Sequence, residues 1–261
     1  MTPGAALVTG GAKRLGRAMA LALADDGWDV AISYLGSAEE AEATVRDIRA
    51  RGRRAAMLRA DLTREEEAKA LLPAAAAALG APLSCLINNA SIFEFDDLPS
   101  MTRKGWDRAV ESNLRAPVLL TQLFAAQAPA PARDAAGEPE AAAVVVNMID
   151  QRVLKPTPMF MSYSIAKAGL WAFTRTAAQG LAPAVRVMAI GPGPTLRGAR
   201  QSEGHFAAQR AATPLGRGAS PEDIVAALRF ILASSSLTGQ ILVMDGGQHL
   251  GWKTPDVLGI E

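Results

Sequence analysis

Short apolar runs rich in β-branched residues alternate along this chain with longer, alanine-rich amphipathic stretches. That alternation predicts βαβ units and a parallel sheet covered by helices on both faces. Strands are expected near Ala5–Thr9, Asp29–Ser33, Ala55–Arg59, Leu83–Asn88, Ala143–Met148, Val185–Ile190 and Gln240–Val243. Helices are expected over Leu15–Asp26, Glu39–Arg51, Arg64–Leu79, Arg103–Ala128, Tyr163–Ala182 and Pro221–Ala233. Pro221 suits a first helical turn, with Ser220 as N-cap and Glu222 and Asp223 complementing the dipole. Pro129–Glu140, rich in Pro, Ala and Gly, reads as a surface loop within one domain. Residues 192–214 lack periodicity and would sit at the C-terminal ends of the strands, so they read as a mobile substrate lid. With 261 residues, 49% of them hydrophobic, the chain suffices for one doubly wound α/β domain.

The net charge of +1 does not favour nucleic acid or an anionic membrane surface. No apolar run approaches the roughly 20 residues of a membrane span, and the first residues lead into a strand without a secretion signal. A cytoplasmic location is the expectation. Cys85, the single cysteine, lies in the apolar run Leu83–Ile87 and reads as a buried thiol. It excludes an internal disulfide framework and a cysteine-rich zinc site. His205 and His249 are far apart, so no metal site is expected.

Thr9-Gly10-Gly11-Ala12-Lys13-Arg14-Leu15-Gly16 follows the first strand and opens the first helix. A glycine-rich turn there is either merely tight or lets the backbone approach a pyrophosphate at a helix N-terminus. The second strand ends in Tyr34-Leu35-Gly36-Ser37, without the acid that accepts from a ribose 2′-hydroxyl. Ser37 with Lys13 and Arg14 would suit a 2′-phosphate, so NADP(H) is the expected cofactor; the bland reading of the cations is solvated surface charge. Asp61-Leu62 follows the third strand, and Asn88-Asn89-Ala90, otherwise a simple turn signal, ends the fourth. Tyr163-Ser164-Ile165-Ala166-Lys167 sets a phenol and an ammonium on one helix face. A nearby cation would bring a phenol, ordinarily near pKa 10, toward proton-transfer range.

These motifs, in this order from Thr9 to Asp245-Gly246-Gly247, resemble the short-chain dehydrogenase/reductase family. The resemblance implies a single Rossmann domain with a seven-stranded parallel sheet. It implies that Gly10, Lys13, Arg14, Leu15, Gly16, Tyr34, Ser37, Asp61, Leu62, Asn89, Ala90, Tyr163, Lys167, Pro192, Gly193 and Thr195 hold the cofactor. Tyr163 and Lys167 would be catalytic. Asn113, read alone as a neutral helix residue, would maintain a water-linked proton path to Lys167. Arg14 stands where the family usually has glycine, Ser91 replaces another glycine, and Met188 stands where an Asn is usual.

Thirteen residues before Tyr163, where most of the family carries a serine, this chain has Asp150. An ionised carboxylate only accepts hydrogen bonds and opposes a developing oxyanion, but suits a heterocycle with N–H donors. A drifted, inactive site is the alternative. Asp150, Lys13-Arg14-Leu15-Gly16 and Asn89-Ala90-Ser91-Ile92-Phe93 are similar to the pteridine reductases and dihydromonapterin reductases within the family. That resemblance implies a pterin-type substrate bound by Arg14, Ser91, Phe93, Asp150 and Tyr163, with Phe93 stacked on it; unaided, Phe93 reads as core. The ending Met244–Leu250 implies, by the same analogy, a homotetramer. A carbonyl or 3-oxoacyl reductase and a non-catalytic NADP-binding regulator are the competing functions.

Overall fold

The computed structural model describes residues 1–198 and 200–253. Its strands are β1 (Ala5–Val8), β2 (Asp29–Tyr34), β3 (Ala55–Arg59), β4 (Leu83–Asn88), β5 (Ala132–Arg133), β6 (Pro139–Glu140), β7 (Ala143–Met148), β8 (Val185–Pro192) and β9 (Ile241–Met244). Its α-helices are α1 (Arg14–Asp25), α2 (Ala38–Ala50), α3 (Glu65–Leu79), α4 (Arg103–Val110), α5 (Ala116–Gln127), α6 (Met161–Leu181), α7 (Glu203–Ala211) and α8 (Pro221–Ala233). The main sheet has seven parallel strands in the order β3-β2-β1-β4-β7-β8-β9, a Rossmann arrangement.

Strand periodicity sorts the core into two layers. Ala6, Val8, Val144 and Val146 face one way, against Met19 of α1, Ile48 of α2 and Ile224 of α8. Their neighbours Ala5, Leu7, Ala143 and Val145 face the other way, against Leu71 of α3 and Phe124 of α5. Both faces are covered, so the strands read as continuous apolar runs. Met188, at the position where the family usually has Asn, is wholly buried in the first layer.

Local chemistry explains several boundaries. Ser220 and Asp223 form a reciprocal capping box, with Pro221 in the first turn of α8. Gly80 ends α3 with a left-handed φ of 62° that a side chain would strain. Arg186 leaves β8 sideways, and its Nη1 donates to the carbonyls of Ile231, Ser234 and Leu237 at 2.9, 3.0 and 3.1 Å. One buried guanidinium thereby satisfies the end of α8 and the turn after it.

Three expectations need correction. The continuous helix over Arg103–Ala128 is interrupted by a π-helical segment, Glu111–Arg115, between α4 and α5. The Asn113 side chain causes a competing set of bonds there: its Nδ2 donates to the carbonyls of Ala109 and Ile92, both at 2.9 Å. Pro129–Glu140 contains the short antiparallel hairpin of β5 and β6 rather than loop alone. The stretch over residues 192–214 contains α7, capped by the Ser202 hydroxyl accepting from the His205 N–H. Among the described residues no helix is long and apolar enough to cross a membrane.

Arg186→Ala would leave three inward-facing carbonyls without their partner. It is expected to lower the urea midpoint by about 3 kcal/mol of stability, with the m-value unchanged. An unchanged midpoint would show that α8 docks without this tie.

Candidate active site

The order of strands reverses between β1 and β4, and a cleft of about 540 Å³ opens there over the carboxyl ends of the sheet. Parallel register makes this convergence unavoidable. Val8 pairs with both Ile32 and Ile87, Asn88 with Asn147, and Met148 with Ile190, so the residues just beyond each strand emerge along one rim.

The first part of the rim is the glycine turn. Gly10 has φ of 63°, and its N–H donates to Ser33 Oγ at 3.2 Å. A Cβ on Gly16 would collide with the carbonyl oxygen of Gly10 and lie 2.6 Å from Asn89 Nδ2. The start of α1 therefore packs directly on the turn, which aims its free N–H groups into the cleft. Asn89 does more than turn the chain: its Nδ2 donates to the carbonyls of Thr9 at 2.8 Å and Gly10 at 3.2 Å. Thr9 Oγ1 accepts in return from the N–H groups of Asn89 and Ala90, at 2.9 and 3.0 Å.

Arg14 adopts the left-handed φ of 56° at the position where the family usually has glycine. Such a conformation costs a non-glycine residue about 1–2 kcal/mol. Its guanidinium crosses the cleft and donates to the carbonyls of Arg197 at 2.9 Å and Leu196 at 3.1 Å. The Arg14 side chain thus lines the cleft and also engages the backbone of residues 196 and 197.

Lys13, Arg14, Leu15, Tyr34, Ser37, Asp61, Leu62, Ala90, Pro192, Gly193 and Thr195 all line the cleft. So do Thr63 and Leu196, which sequence reasoning missed. At the end of β2 the lining is Tyr34, Leu35, Gly36 and Ser37, so no carboxylate stands there. Asp61 lies further along the rim, and hydrogen bonds from the Thr63 hydroxyl and N–H hold its carboxyl below the usual range. A dinucleotide fits this end: close backbone at a helix N-terminus, with exposed Lys13 and the Ser37 hydroxyl on the same lining for a further phosphate. On the far side, Gly193 lies so close to Asp245 that a Cβ would stand 2.5 Å from the Asp245 Cβ. Its N–H donates to the Met244 carbonyl, and Thr195 Oγ1 donates to the Gly193 carbonyl.

Asp150, just beyond β7, accepts at Oδ1 from the Arg152 N–H and at Oδ2 from the Tyr163 hydroxyl, both at 2.9 Å. Lys167, one turn along α6 from Tyr163, donates from Nζ to the Met148 carbonyl at 2.7 Å. Burial raises the Asp150 carboxyl above its ordinary range despite the opposing hydrogen bonds from Arg152 and Tyr163. Burial, then the Asp150 charge and hydrogen bond, hold the Tyr163 phenol well above its ordinary value. Burial brings Lys167 down to about 8. The simple expectation that Lys167 lowers the phenol is therefore corrected. The dominant neighbour of Tyr163 is a carboxyl, which keeps the proton on the oxygen pair.

Asn113 is brought near this set but not into the cleft. It is fully buried, accepts from the Ser91 hydroxyl at 2.7 Å, and spends its amide on the carbonyls of Ala109 in α4 and Ile92 in the loop after β4. These bonds position Ser91, which lines the cleft. Phe93 is no core residue: it is 43% exposed, lines the cleft, and meets Tyr163 edge-on at 4.7 Å between ring centres. Its ring stacks on Phe160 at 4.1 Å with an interplanar angle of 8°.

Phe160, Arg152 and Asp96 are further residues of this region that sequence reasoning missed. Phe160 begins α6 in a left-handed conformation and offers no side-chain cap. Asp96 supplies one from the loop that carries Phe93: its carboxylate accepts from the Ser162 N–H and hydroxyl, and its carbonyl from the Phe160 N–H at 2.7 Å. No capping pattern adjoining α6 announces a cap drawn from sixty-six residues away.

Comparison with known proteins agrees with this geometry. The family model for enoyl-(acyl carrier protein) reductase, of the short-chain dehydrogenase type, matches residues 10–249. A 3-oxoacyl-(acyl-carrier-protein) reductase of Staphylococcus aureus is 29% identical over 250 residues, covering 94% of this chain and 98% of the relative. The crystal structure of FolM alternative dihydrofolate reductase 1 from Brucella suis, in complex with NADP, superposes with a TM-score of 0.90. It is 39% identical and covers 98% of this chain and 100% of that one. The Brucella canis counterpart, also with NADP, has a TM-score of 0.87 at 37% identity, covering 98% of each chain. With the switch-point cleft, the glycine turn and the Tyr163–Lys167 pair in place, the chain belongs to the short-chain dehydrogenase/reductase family.

Proposed function

We propose that this chain reduces a dihydropterin-type ring, such as dihydromonapterin, dihydrobiopterin or dihydrofolate, with NADPH. The carrying observation is the part-buried hydrogen bond between Tyr163 and Asp150, at the position where most of the family has serine. The cofactor is NADP(H), in keeping with the acid-free end of β2 and with the NADP complexes of the Brucella neighbours. NADPH, when bound, supplies the hydride.

The protein's own part is to orient the ring and deliver a proton. Phe93 offers a planar apolar face at the mouth of the cleft, suited to a flat bicyclic ring. A reduced C=N nitrogen needs a proton, and the Asp150–Tyr163 couple holds one at the wall of the cleft. Burial keeps Asp150 protonated to higher pH than an ordinary carboxyl, so the couple serves as general acid with Tyr163 as its relay. A ketone would instead place a developing oxyanion beside Asp150, which opposes it when ionised. Lys167 carries a positive charge below pH of about 8 and supports Tyr163 from behind the ring at 5.7 Å. A second reading, reduction of a 3-oxoacyl thioester, is favoured by the Staphylococcus aureus relative. A homotetramer and a cytoplasmic location complete the proposal; light scattering of the purified protein tests the first.

NADPH oxidation is to be followed with the three pterins and with an acetoacetyl thioester. The wild type should turn over a pterin, and Asp150→Ser should lower that kcat/KM by about 10²-fold or more while sparing the thioester. Turnover of the thioester alone by the wild type sinks the pterin reading. Phe93→Ala should raise KM for the pterin several-fold and leave a small ketone unaffected.

The wild-type pterin kcat/KM should fall as pH rises through the elevated Asp150 value, because the acid is then lost. In Asp150→Asn that limb should vanish together with most of the activity; a limb unmoved in this variant would assign it to another group.

Lys167→Met should abolish turnover yet stabilise the fold. At pH 7 the buried ammonium costs on the order of 3 kcal/mol, from a value near 8 in the folded chain against an ordinary 10.5. Between pH 8 and 10.5 the unfolded chain retains a proton that the folded chain has released, so wild-type stability rises across that window. The Tm advantage of the variant should therefore be several degrees at pH 7 and shrink toward pH 10.5; equal melting at pH 7 would contradict the burial argument.

A further inference from the structure

Arg152 stands two residues beyond Asp150, outside the set that resemblance or spacing singles out. Two hydrogen bonds and two ring contacts hold it. Its N–H donates to Asp150 Oδ1 at 2.9 Å, and its Nη1 donates to Thr157 Oγ1 at 2.8 Å. Its guanidinium carbon lies 5.1 Å from the ring centre of Phe160 and 5.8 Å from that of Phe93. The side chain is half-buried, and the partner that fixes its charged end is an uncharged hydroxyl.

We infer that Arg152 is a positioning residue that ties the Asp150–Tyr163 couple to the aromatic wall of Phe93 and Phe160 and sets the charge balance of that couple. One residue reaches both because the short helical turn Gln151–Val153 returns the chain over the cleft mouth immediately after Asp150. The main chain of Arg152 then orients the carboxyl, while its side chain packs beside the rings.

The charge argument follows from what surrounds Asp150. Arg152 contributes from its own segment, and α6 contributes Tyr163 and Lys167. The facing loop brings Ser91, Ile92 and Phe93, and the end of β8 brings Gly191 and Pro192, none of them charged. Lys167 is already committed to the Met148 carbonyl. Arg152 and Lys167 are thus the two cations acting on Asp150, and Arg152 also acts on Tyr163; its charge favours the ionised form of each. Without it, burial would hold the proton on the couple more tightly.

Arginine and lysine separate the two roles. Both carry the charge, but only the planar guanidinium packs flat beside aromatic rings; an ammonium is more strongly hydrated. The experiment follows the Asp150 carboxyl by carbon-13 NMR titration, its signal assigned by its loss in Asp150→Asn. Wild type, Arg152→Gln and Arg152→Lys are compared, each also assayed for KM with a dihydropterin and NADPH. The expected midpoint rises by about half to one pH unit in Arg152→Gln and returns to the wild-type value in Arg152→Lys. KM should rise several-fold in both variants, because both loosen the wall. A midpoint unmoved in Arg152→Gln, or moved equally in Arg152→Lys, overturns the inference. Only the KM arm rests on the pterin reading. Absence of pterin turnover by the wild type would defeat that reading, while the titration would still decide the role of Arg152.

Discussion

The bond between the Tyr163 hydroxyl and Asp150 concentrates the chemical demands of this protein in one place. Burial raises the cost of ionising both groups; the carboxyl raises it further for the phenol, whereas the phenol's hydrogen bond eases it for the carboxyl. Such a pair persists only if its surroundings are rigid. β7 delivers Asp150, the first turn of α6 delivers Tyr163 and Lys167, and Asp96 caps that turn from the loop carrying Phe93. The π segment below performs a similar service for Ser91 through Asn113. The acid and the aromatic surface are consequently positioned by the same few contacts.

The cofactor end of the cleft is organised by close approach rather than by charge. Gly10 and Gly16 allow the turn, α1 and Asn89 to meet without intervening side chains. Arg14 breaks this pattern, retaining the backbone shape of a glycine while carrying a side chain that clasps the carbonyls of Leu196 and Arg197. The hydrogen bonds to Leu196 and Arg197 offset the conformational strain, and they join the phosphate end of the cleft to its cover. Arg210 steadies the same cover from behind, through the carbonyls of Pro194, Gly218 and Ala219.

Function and stability pull in opposite directions at the centre of this molecule. Lys167 is buried and retains its charge only against desolvation, whereas Arg186, also buried, donates from Nη1 to three carbonyls at the end of α8 and in the turn after it. The first arrangement costs folding free energy; the second ties a helix terminus to the sheet. The apolar layers on both faces of the sheet supply the stability on which the buried polar centre draws.

Much of this was written in local pattern. Alternating apolar runs and amphipathic stretches determined the seven strands, the flanking helices and their order, because each segment's period is a property of adjacent residues. The glycine turn, the Tyr163–Lys167 spacing and the carboxyl at position 150 were legible for the same reason, as was the capping box at Ser220. The expectation that Phe93 might be mere core, the unbroken helix across Asn113, and the phenol governed by Lys167 all gave way in the folded chain. Each depended on a partner remote in sequence: Phe160 for Phe93, Ser91 and the Ile92 carbonyl for Asn113, and Asp150 for Tyr163. Sequence by itself determined which segments form and which chemical groups stand at the strand ends. Tertiary structure alone decided which of those groups touch and how dry their contact is, because desolvation and hydrogen bonding between distant segments exist only once the sheet has brought them together.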